Sequence, residues 1–338
     1  TRARQKFGAF ADRMLFTRAG LEQATRLEVG ARHAGRFRDA GVTRVADLGC
    51  GIGGDALALA GIGLDVLAVD ADEITSALAA YNLAPFGDGV SVRSSRAEDV
   101  DLTGIDAVWL DPARRTAGHG ETTRVGADDW SPPLDWVFGL SARLPAGIKL
   151  GPAFDRSLIP DDAEAQWISV DGSTIELVVW TGILARPGVR RAALVIRGGQ
   201  AAELVASGDA PDAPVRGLGA YLHEPEGAVI RARLIGEVAR TIGAGMLDQR
   251  IAYLTSDAPA SSPFVQTFRV REQLPNDIKA LGRALRDRGI GTLEIKKRGV
   301  DIDPAVLRTK LKPSGAESAT LFVTRIGNTR TTLLADRV

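Results

Sequence analysis

The chain has 338 residues, of which 45% are apolar and 25% charged, the composition of a globular protein with two domains rather than one. A single cysteine, Cys50, excludes an internal disulfide framework, and three widely separated histidines make a zinc site improbable. No apolar run approaches the roughly 20 residues that cross a bilayer and no signal-peptide pattern opens the chain, so we expect a cytoplasmic protein without a membrane or metal partner.

The zero net charge conceals an uneven distribution of charged residues. Residues 1–40 hold nine basic and four acidic side chains, and residues 265–312 hold twelve basic and six acidic ones. The rest of the chain is therefore acidic. Two basic segments that flank an acidic body are typical of a protein that binds a phosphate backbone, although solvated helix faces give the same pattern.

Short apolar strands alternate with helices after a helical lead-in. Apolar residues at helical spacing predict two helices within residues 7–38. Further along, the pattern predicts strands at 44–48, 65–69, 90–93 and 105–110, with helices at 55–60 and 73–83. This alternation predicts a parallel sheet with helices on both of its faces.

A polar segment at 111–133, rich in glycine and proline, is predicted to be a long loop of functional importance. Beyond it we expect a strand at 148–150 and hairpins at 166–181 and 192–205. Residues 207–214 are the predicted linker, and we expect a small α+β module after it, with helices at 228–242, 277–287 and 304–310 and strands at 251–254, 265–270, 292–296 and 319–324. The predicted domains are an N-terminal helical segment at 1–40, a cofactor-binding domain at 41–206 and the α+β domain at 215–338.

A glycine-rich loop, DLGCGIGG at 47–54, lies between the first strand and the first helix. Its glycines permit a tight turn, and they let backbone N–H groups approach a ligand at the positive end of the helix dipole. Asp70 ends the second strand, where a carboxylate can accept hydrogen bonds from both hydroxyls of a ribose. These features fit NAD and S-adenosylmethionine equally well.

Polar residues also follow the third and fourth strands. Glu98 and Asp99 come after the third strand, and Asp111 and Pro112 come directly after the fourth. Because ligands of open α/β sheets bind outside the carboxyl ends of the strands, these residues should meet at one edge. An acidic residue followed by proline after the fourth strand favours a methyltransferase over a dehydrogenase.

At this point the chain resembles a known superfamily. The stretches VADLGCGIGG, AVDAD and WLDPARR look like motifs of the class I S-adenosylmethionine-dependent methyltransferases. Residues 6–200 are similar to a bacterial group of RNA methyltransferases, and the tail from Gln266 to Pro313 resembles the THUMP-like domain that ends them. The resemblance implies an α/β fold with a doubly wound, mostly parallel, seven-stranded Rossmann-like methyltransferase sheet, an N-terminal helical lead-in and a smaller C-terminal α+β domain.

The resemblance also assigns roles to individual residues. It implies that the methionine end of S-adenosylmethionine is lined by Asp47, Gly49, Gly51 and Gly53. Asp70 would bind the ribose, and Glu98 or Asp99 the adenine. Asp111 would lie beside the transferred methyl group, in a catalytic motif with Pro112 and Arg114.

This motif departs from two known versions. Enzymes that methylate exocyclic base nitrogens have a second proline and an aromatic residue where this chain has Ala113 and Arg114. C5-pyrimidine enzymes, which share the Asp-Pro spelling, require a nucleophilic cysteine, and Cys50 lies inside the cofactor loop. Asp111 is left as a hydrogen-bond acceptor, with Arg114 and Arg115 as phosphate or base contacts. A turn-capping Asp111 with ion-paired arginines is the structural alternative.

The expected function is S-adenosylmethionine-dependent methylation of a base nitrogen in RNA, either tRNA or rRNA. We expect RNA contacts from Arg115 and from Lys296, Lys297 and Arg298 in the α+β domain. His119 and Trp130 could stack on a base, and Lys149 could face the substrate. Two alternatives stay open: a methyltransferase for a small molecule or protein, and a non-catalytic RNA-binding protein that kept the fold. The sequence leaves the RNA, the modified atom and the oligomeric state open.

Overall fold

A computed structural model describes residues 2–114 and 130–338. The helices in these residues are α1 (Arg2–Phe7), α2 (Arg18–Gln23), α3 (Leu27–Asp39), α4 (Gly54–Gly61), α5 (Glu73–Leu83), α6 (Leu134–Ser141), α7 (Gly227–Arg231), α8 (Ile235–Thr241), α9 (Ile278–Asp287) and α10 (Pro304–Leu311). None of the helices in these two ranges is long and apolar enough to cross a membrane.

The strands fall into a large sheet, a two-stranded ribbon and a second sheet. The large sheet contains β1 (Arg44–Leu48), β2 (Asp65–Asp70), β3 (Val90–Ser94), β4 (Ala107–Leu110), β7 (Ala146–Leu150), β8 (Glu164–Val170), β9 (Ser173–Trp180), β10 (Arg191–Arg197) and β11 (Gln200–Ala206). The ribbon is β5 (Ala113–Arg114) and β6 (Trp130–Ser131). The second sheet contains β12 (Tyr221–Pro225), β13 (Gly245–Asp248), β14 (Ile251–Ser256), β15 (Val265–Leu274), β16 (Ile290–Lys297), β17 (Glu317–Ile326) and β18 (Thr329–Arg337).

The large sheet has the strand order β11-β10-β8-β9-β7-β4-β1-β2-β3. Its strands β3, β2, β1, β4 and β7 are parallel, while β9 pairs antiparallel with β7. The doubly wound, mostly parallel prediction is therefore confirmed. The sheet has nine strands rather than seven because the hairpin of β10 and β11 extends it.

Two tryptophans fill the core beside the centre of this sheet. Trp109 on β4 and Trp180 on β9 are each 1% exposed, and their ring centroids lie 5.8 Å apart. Gly147 on β7 lies between them, and a Cβ atom there would be 2.7 Å from an atom of each indole ring. A larger residue at position 147 would overpack this core.

The chain forms two compact units. The first comprises Thr1–Gln166 and Ile175–Arg190, and the second comprises Trp167–Thr174 and Arg191–Val338. In the second unit the sheet order is β13-β14-β12-β15-β18-β17-β16. Leucines of α9 and α10 pack on one face of this sheet, and the other face carries a separate cluster with Tyr253, Phe268 and Phe322.

Several elements differ from the sequence prediction. The predicted helix at 228–242 is wrong as a single helix: α7 and α8 are separated at Arg233, whose φ of +61° is left-handed. Helix α6 and strands β12, β13 and β18 were not predicted. Strand β18 reads TRTTLLADR, and its run of threonines and charged residues hides the alternation that marks a half-buried strand.

Candidate active site

The glycine-rich loop turns the chain from β1 into α4. Gly49 has a φ of +99°, and a Cβ atom at this position would lie 3.1 Å from the carbonyl oxygen of Asp111. Glycine is therefore required here by both the backbone angle and the space. Gly53, with a φ of +87°, caps the N-terminus of α4. Gly51 donates its N–H to Asp70 Oδ2 at 2.9 Å, which fixes the loop against the end of β2.

A cleft of about 620 Å³ opens at the carboxyl ends of β1, β2 and β4. This volume is within the usual range for small-molecule and cofactor sites. The predicted residues that line it are Gly49, Gly51, Asp70, Glu98, Asp111, Pro112, Trp130 and Lys149. Asp47 and Gly53 are buried, and neither they nor Asp99 are among the residues that line the cleft. Of the two acidic candidates for an adenine contact, only Glu98 lines the cleft.

The polar groups of the cleft fit S-adenosylmethionine. Asp47 is 1% exposed, and neither of its carboxylate oxygens has a hydrogen-bond partner among the described residues. Burial, together with the Asp55 and Asp111 carboxylates, raises the pKa of Asp47 well above its usual range. A cationic group such as the cofactor's ammonium would relieve this cost. Asp70 and Glu98 add two further carboxylates to the lining of the cleft.

The inner end of the cleft is formed by Asp111 and Lys149. Lys149 Nζ lies 2.5 Å from Asp111 Oδ2, and it donates a hydrogen bond to Thr25 Oγ1 at 3.0 Å. Burial raises the pKa of Asp111, and the neighbouring ammonium of Lys149 opposes this rise. The Asp111 side chain is 34% exposed, so it is accessible from the cleft.

A buried ionic network continues from Lys149 into the core of the first unit. Asp55 Oδ2 lies 3.7 Å from Lys149 Nζ, and Asp55 Oδ1 lies 3.2 Å from His33 Nδ1. His33 Nε2 in turn lies 2.8 Å from Glu176 Oε1. Burial disfavours the charged imidazole, but Glu176 and Asp55 outweigh it and raise the pKa of His33 to about 9.

The same network lowers the pKa of Asp55. Burial works against ionisation of this carboxyl, but Lys149, His33 and Thr25 outweigh burial and lower its pKa to about 2. Sequence reasoning did not predict the network of Thr25, His33, Asp55 and Glu176, because each of them lies in a different element. The available signal was His33 itself, a polar residue on the buried face of α3 beside Val29 and Phe37.

The other residues that the sequence analysis considered for the site have different surroundings. Arg114 contributes its backbone to the ribbon strand β5, opposite Trp130, while Arg115 and His119 lie outside the described residues. Trp130 is 5% exposed, and its ring packs edge-on against Phe154 with centroids 6.0 Å apart. Cys50 is buried, and burial raises the pKa of its thiol well above the usual range, which is unsuitable for a nucleophile.

The predicted basic residues at the end of β16 lie on both sides of the strand. Lys296 Nζ is 2.6 Å from Glu224 Oε2 and 5.6 Å from the ring centroid of Phe268. The guanidinium of Arg298 lies 5.0 Å from the ring centroid of Tyr253. Lys296 and Arg298 are thus held against the aromatic face of the second sheet. Lys297 points the other way and is exposed.

Comparisons with known proteins agree with this geometry. Residues 265–337 match the family model described as "THUMP domain-like". The chain is 34% identical over 317 residues to an uncharacterized S-adenosylmethionine-dependent methyltransferase found in two strains of Mycobacterium tuberculosis, over 93% of this chain and 85% of the relative. A solved structure described as a methyltransferase, from Porphyromonas gingivalis W83, superposes with a TM-score of 0.76 at 21% identity, covering 99% of this chain and 87% of that one.

The solved structure supports the fold, and the mycobacterial relative supports the activity. The match to that relative covers 93% of this chain and so extends into both compact units. The chain therefore belongs to the S-adenosylmethionine-dependent methyltransferases, and it carries a C-terminal THUMP-like domain.

Proposed function

We propose that this methyltransferase modifies a base nitrogen in RNA. The observation that carries the RNA assignment is a set of exposed cations on two helices of the second unit. These helices, α9 and α10, fall within the residues that match the THUMP-like family. A methyltransferase for a small molecule has no need of such a surface.

The α9–α10 basic surface consists of Lys279, Arg283, Arg286, Arg308, Lys310 and Lys312, all of which are exposed. Arg286 donates a hydrogen bond to the carbonyl of Leu311, which ties the two helices together. Across residues 2–114 and 130–338, no carboxylate lies within ion-pair distance of these six cations. In contrast, Arg269, Arg271 and Arg288 of the same module are paired with Asp336 or Glu272. Unpaired exposed cations are the ones that can exchange counterions for phosphates.

The base-nitrogen assignment comes from the inner end of the cleft. When bound, S-adenosylmethionine supplies an electrophilic methyl group. Asp47 would hold its ammonium, Asp70 its ribose and Glu98 its adenine. Asp111 would accept a hydrogen bond from the N–H of the acceptor and so orient the nitrogen lone pair. Pro112, which is buried beside it, would limit the positions open to the base.

The test is to determine which class of molecule receives a labelled methyl group. We would incubate the full chain with S-adenosylmethionine labelled in its methyl group and a bacterial lysate depleted of the cofactor. We expect label that becomes acid-soluble after ribonuclease treatment and that resists protease and deoxyribonuclease. Label in protein or in small molecules would contradict the proposal.

Identification of the modified nucleoside completes the test. After digestion of the labelled RNA to nucleosides, we expect one product that carries the methyl group on a base nitrogen. A methyl group on carbon or on ribose would contradict the nitrogen assignment while leaving the RNA assignment standing. Heat-inactivated chain in the same lysate is the control.

A further inference from the structure

A lysine occupies an unusual place in the large sheet. Strand β7 is otherwise apolar, and its residues Ile148 and Leu150 on either side of Lys149 are buried. The Lys149 side chain is only 12% exposed. Burying an ammonium costs several kcal/mol, and an apolar residue of similar size often serves stability as well or better. Packing therefore does not explain why a lysine is present at this position.

Lys149 has further partners besides Asp111. Thr25 Oγ1 accepts a hydrogen bond from the ammonium and itself donates to Asp55 Oδ2 at 2.7 Å. Asp55 is fixed in turn by its contact with His33 Nδ1 at 3.2 Å. These contacts come from α3, α4 and the segment that joins α2 to α3, so the position of the ammonium is set by three parts of the first unit.

Asp111 faces several groups that oppose its ionisation. Burial, Asp55 and Glu176 all raise its pKa, and Asp47 is close enough for the two carboxyls to affect each other. Lys149 is the cation that counters them. Only the ionised carboxylate is a pure acceptor for an N–H group, since the protonated form presents a donor as well.

We propose that Lys149 is the positioning residue of this active site, which keeps the Asp111 carboxylate ionised and directed into the cleft. The inference rests on the proposed role of Asp111 as acceptor for the N–H of the substrate. Lys149 acts through Asp111 and is not itself a catalytic residue. Thr25 and Asp55 support it by fixing the ammonium.

The direct test is the titration of Asp111, followed by NMR in full-length chain labelled with ¹³C at the aspartate carboxyl carbon. The signal is assigned by its absence from the spectrum of Asp111→Asn. We expect a carboxylate at pH 7.5 in the wild type. In Lys149→Gln the midpoint should rise by about 1–3 pH units, because the carboxylate no longer has an opposite charge within hydrogen-bond distance. Lys149→Arg, which retains the charge, should titrate close to the wild type.

Either an Asp111 that is protonated at pH 7.5 in the wild type, or an unchanged midpoint in Lys149→Gln, would overturn the inference. A protonated Asp111 in the wild type would overturn the inference even where Lys149→Gln does not fold. Because no acceptor is added, the titration is independent of the substrate. A shifted midpoint with no RNA labelling by the wild type would refute the proposed substrate but not the role of Lys149.

A pH profile of methyl transfer separates positioning from structural support. We expect the acidic limb of kcat/KM in Lys149→Gln to move to higher pH, with activity partly recovered at alkaline pH and largely recovered by Lys149→Arg. A purely structural lysine would lower the melting temperature and leave the limb in place. That result would overturn the inference.

Discussion

Three carboxyl groups at the base of the cleft, those of Asp47, Asp55 and Asp111, differ in pKa because their partners differ. Asp55 has Lys149, His33 and Thr25 as partners, and its pKa is lowered to about 2. Asp47 has no hydrogen-bond partner in the part of the chain that the structure describes, and its pKa is raised. The sequence places all three at strand ends or in the first turn of a helix, but it cannot show which of them meets a cation.

His33 provides a test of the buried network. Its folded pKa of about 9 is above the ordinary value of 6.5, so the network stabilises the fold fully below pH 6.5. This stabilisation, of up to about 3 kcal/mol, should disappear as the pH rises through 9. In urea unfolding between pH 6 and pH 10, the wild type should lose more unfolding free energy than His33→Gln.

His223 supplies the matched control for this experiment. It is also fully buried, but burial lowers its pKa to about 4, so it is neutral throughout the range tested. His223→Gln should therefore keep the wild-type slope between pH 6.5 and 9. Equal slopes for the wild type and His33→Gln would show that His33 is not protonated in the folded protein.

At the scale of elements, Asn82 connects the lead-in segment to the cofactor loop. On α5, Asn82 Oδ1 accepts the N–H of Leu15 at 2.7 Å, and its amide nitrogen donates to the carbonyls of Leu15 and Ile52 at 3.0 and 2.9 Å. The lead-in then continues into α2 and Thr25, whose residues line the cleft. One buried side chain thus joins two walls of the cofactor site.

Asn82→Ala should loosen both walls. Removal of the amide leaves three backbone groups without their partner, at a cost of about 1–3 kcal/mol for each buried group left unsatisfied. We expect weaker binding of S-adenosylhomocysteine by calorimetry and faster tryptic cleavage within residues 2–26. Tyr81→Phe, at an exposed neighbouring position on α5, should change neither. Wild-type affinity and cleavage in Asn82→Ala would contradict this connection.

The element boundaries show where the local sequence pattern is enough to predict a helix or strand and where it is not. Strand β1 and helix α5 have the bounds predicted, because a short apolar run and an Asp72 cap give clear signals. Helix α6 was hidden beyond the long loop, since Gly139 and a proline-rich start obscure its periodicity. The interruption between α7 and α8 depends on the left-handed backbone of Arg233, which no residue preference indicates.

At the scale of the whole molecule, the proposal requires both methyl transfer and RNA binding, and the distribution of free positive charge bears on RNA binding. The predicted excess of positive charge at 265–312 is present, but five of its twelve cations are ion-paired or held against the aromatic face. The sequence gives the number of these charges but not which of them are free, because that depends on the strand face or helix face that each residue occupies. The free cations lie mainly on α9 and α10 rather than at Lys296 and Arg298.

Removal of two free cations should weaken RNA binding without affecting the cofactor site. For Arg283→Gln with Lys310→Gln, we expect lower RNA affinity and a shallower salt dependence, by about 0.7–0.9 in log–log slope for each phosphate that is no longer neutralised. The matched control is Arg216→Gln with Arg240→Gln, cations of the same unit that are ion-paired with Asp257 and Glu237. Equal salt slopes for both double variants would contradict a role for the α9–α10 basic surface.

The most direct test of the account is methyl transfer to RNA by Asp111→Asn. The substitution keeps the shape of the side chain but removes the charge that orients an N–H group. We predict that labelling of total bacterial RNA falls by about 100-fold or more, while the affinity for S-adenosylhomocysteine stays within about twofold of the wild type. RNA labelling at the wild-type rate by Asp111→Asn would contradict the placement of methyl transfer at this carboxylate.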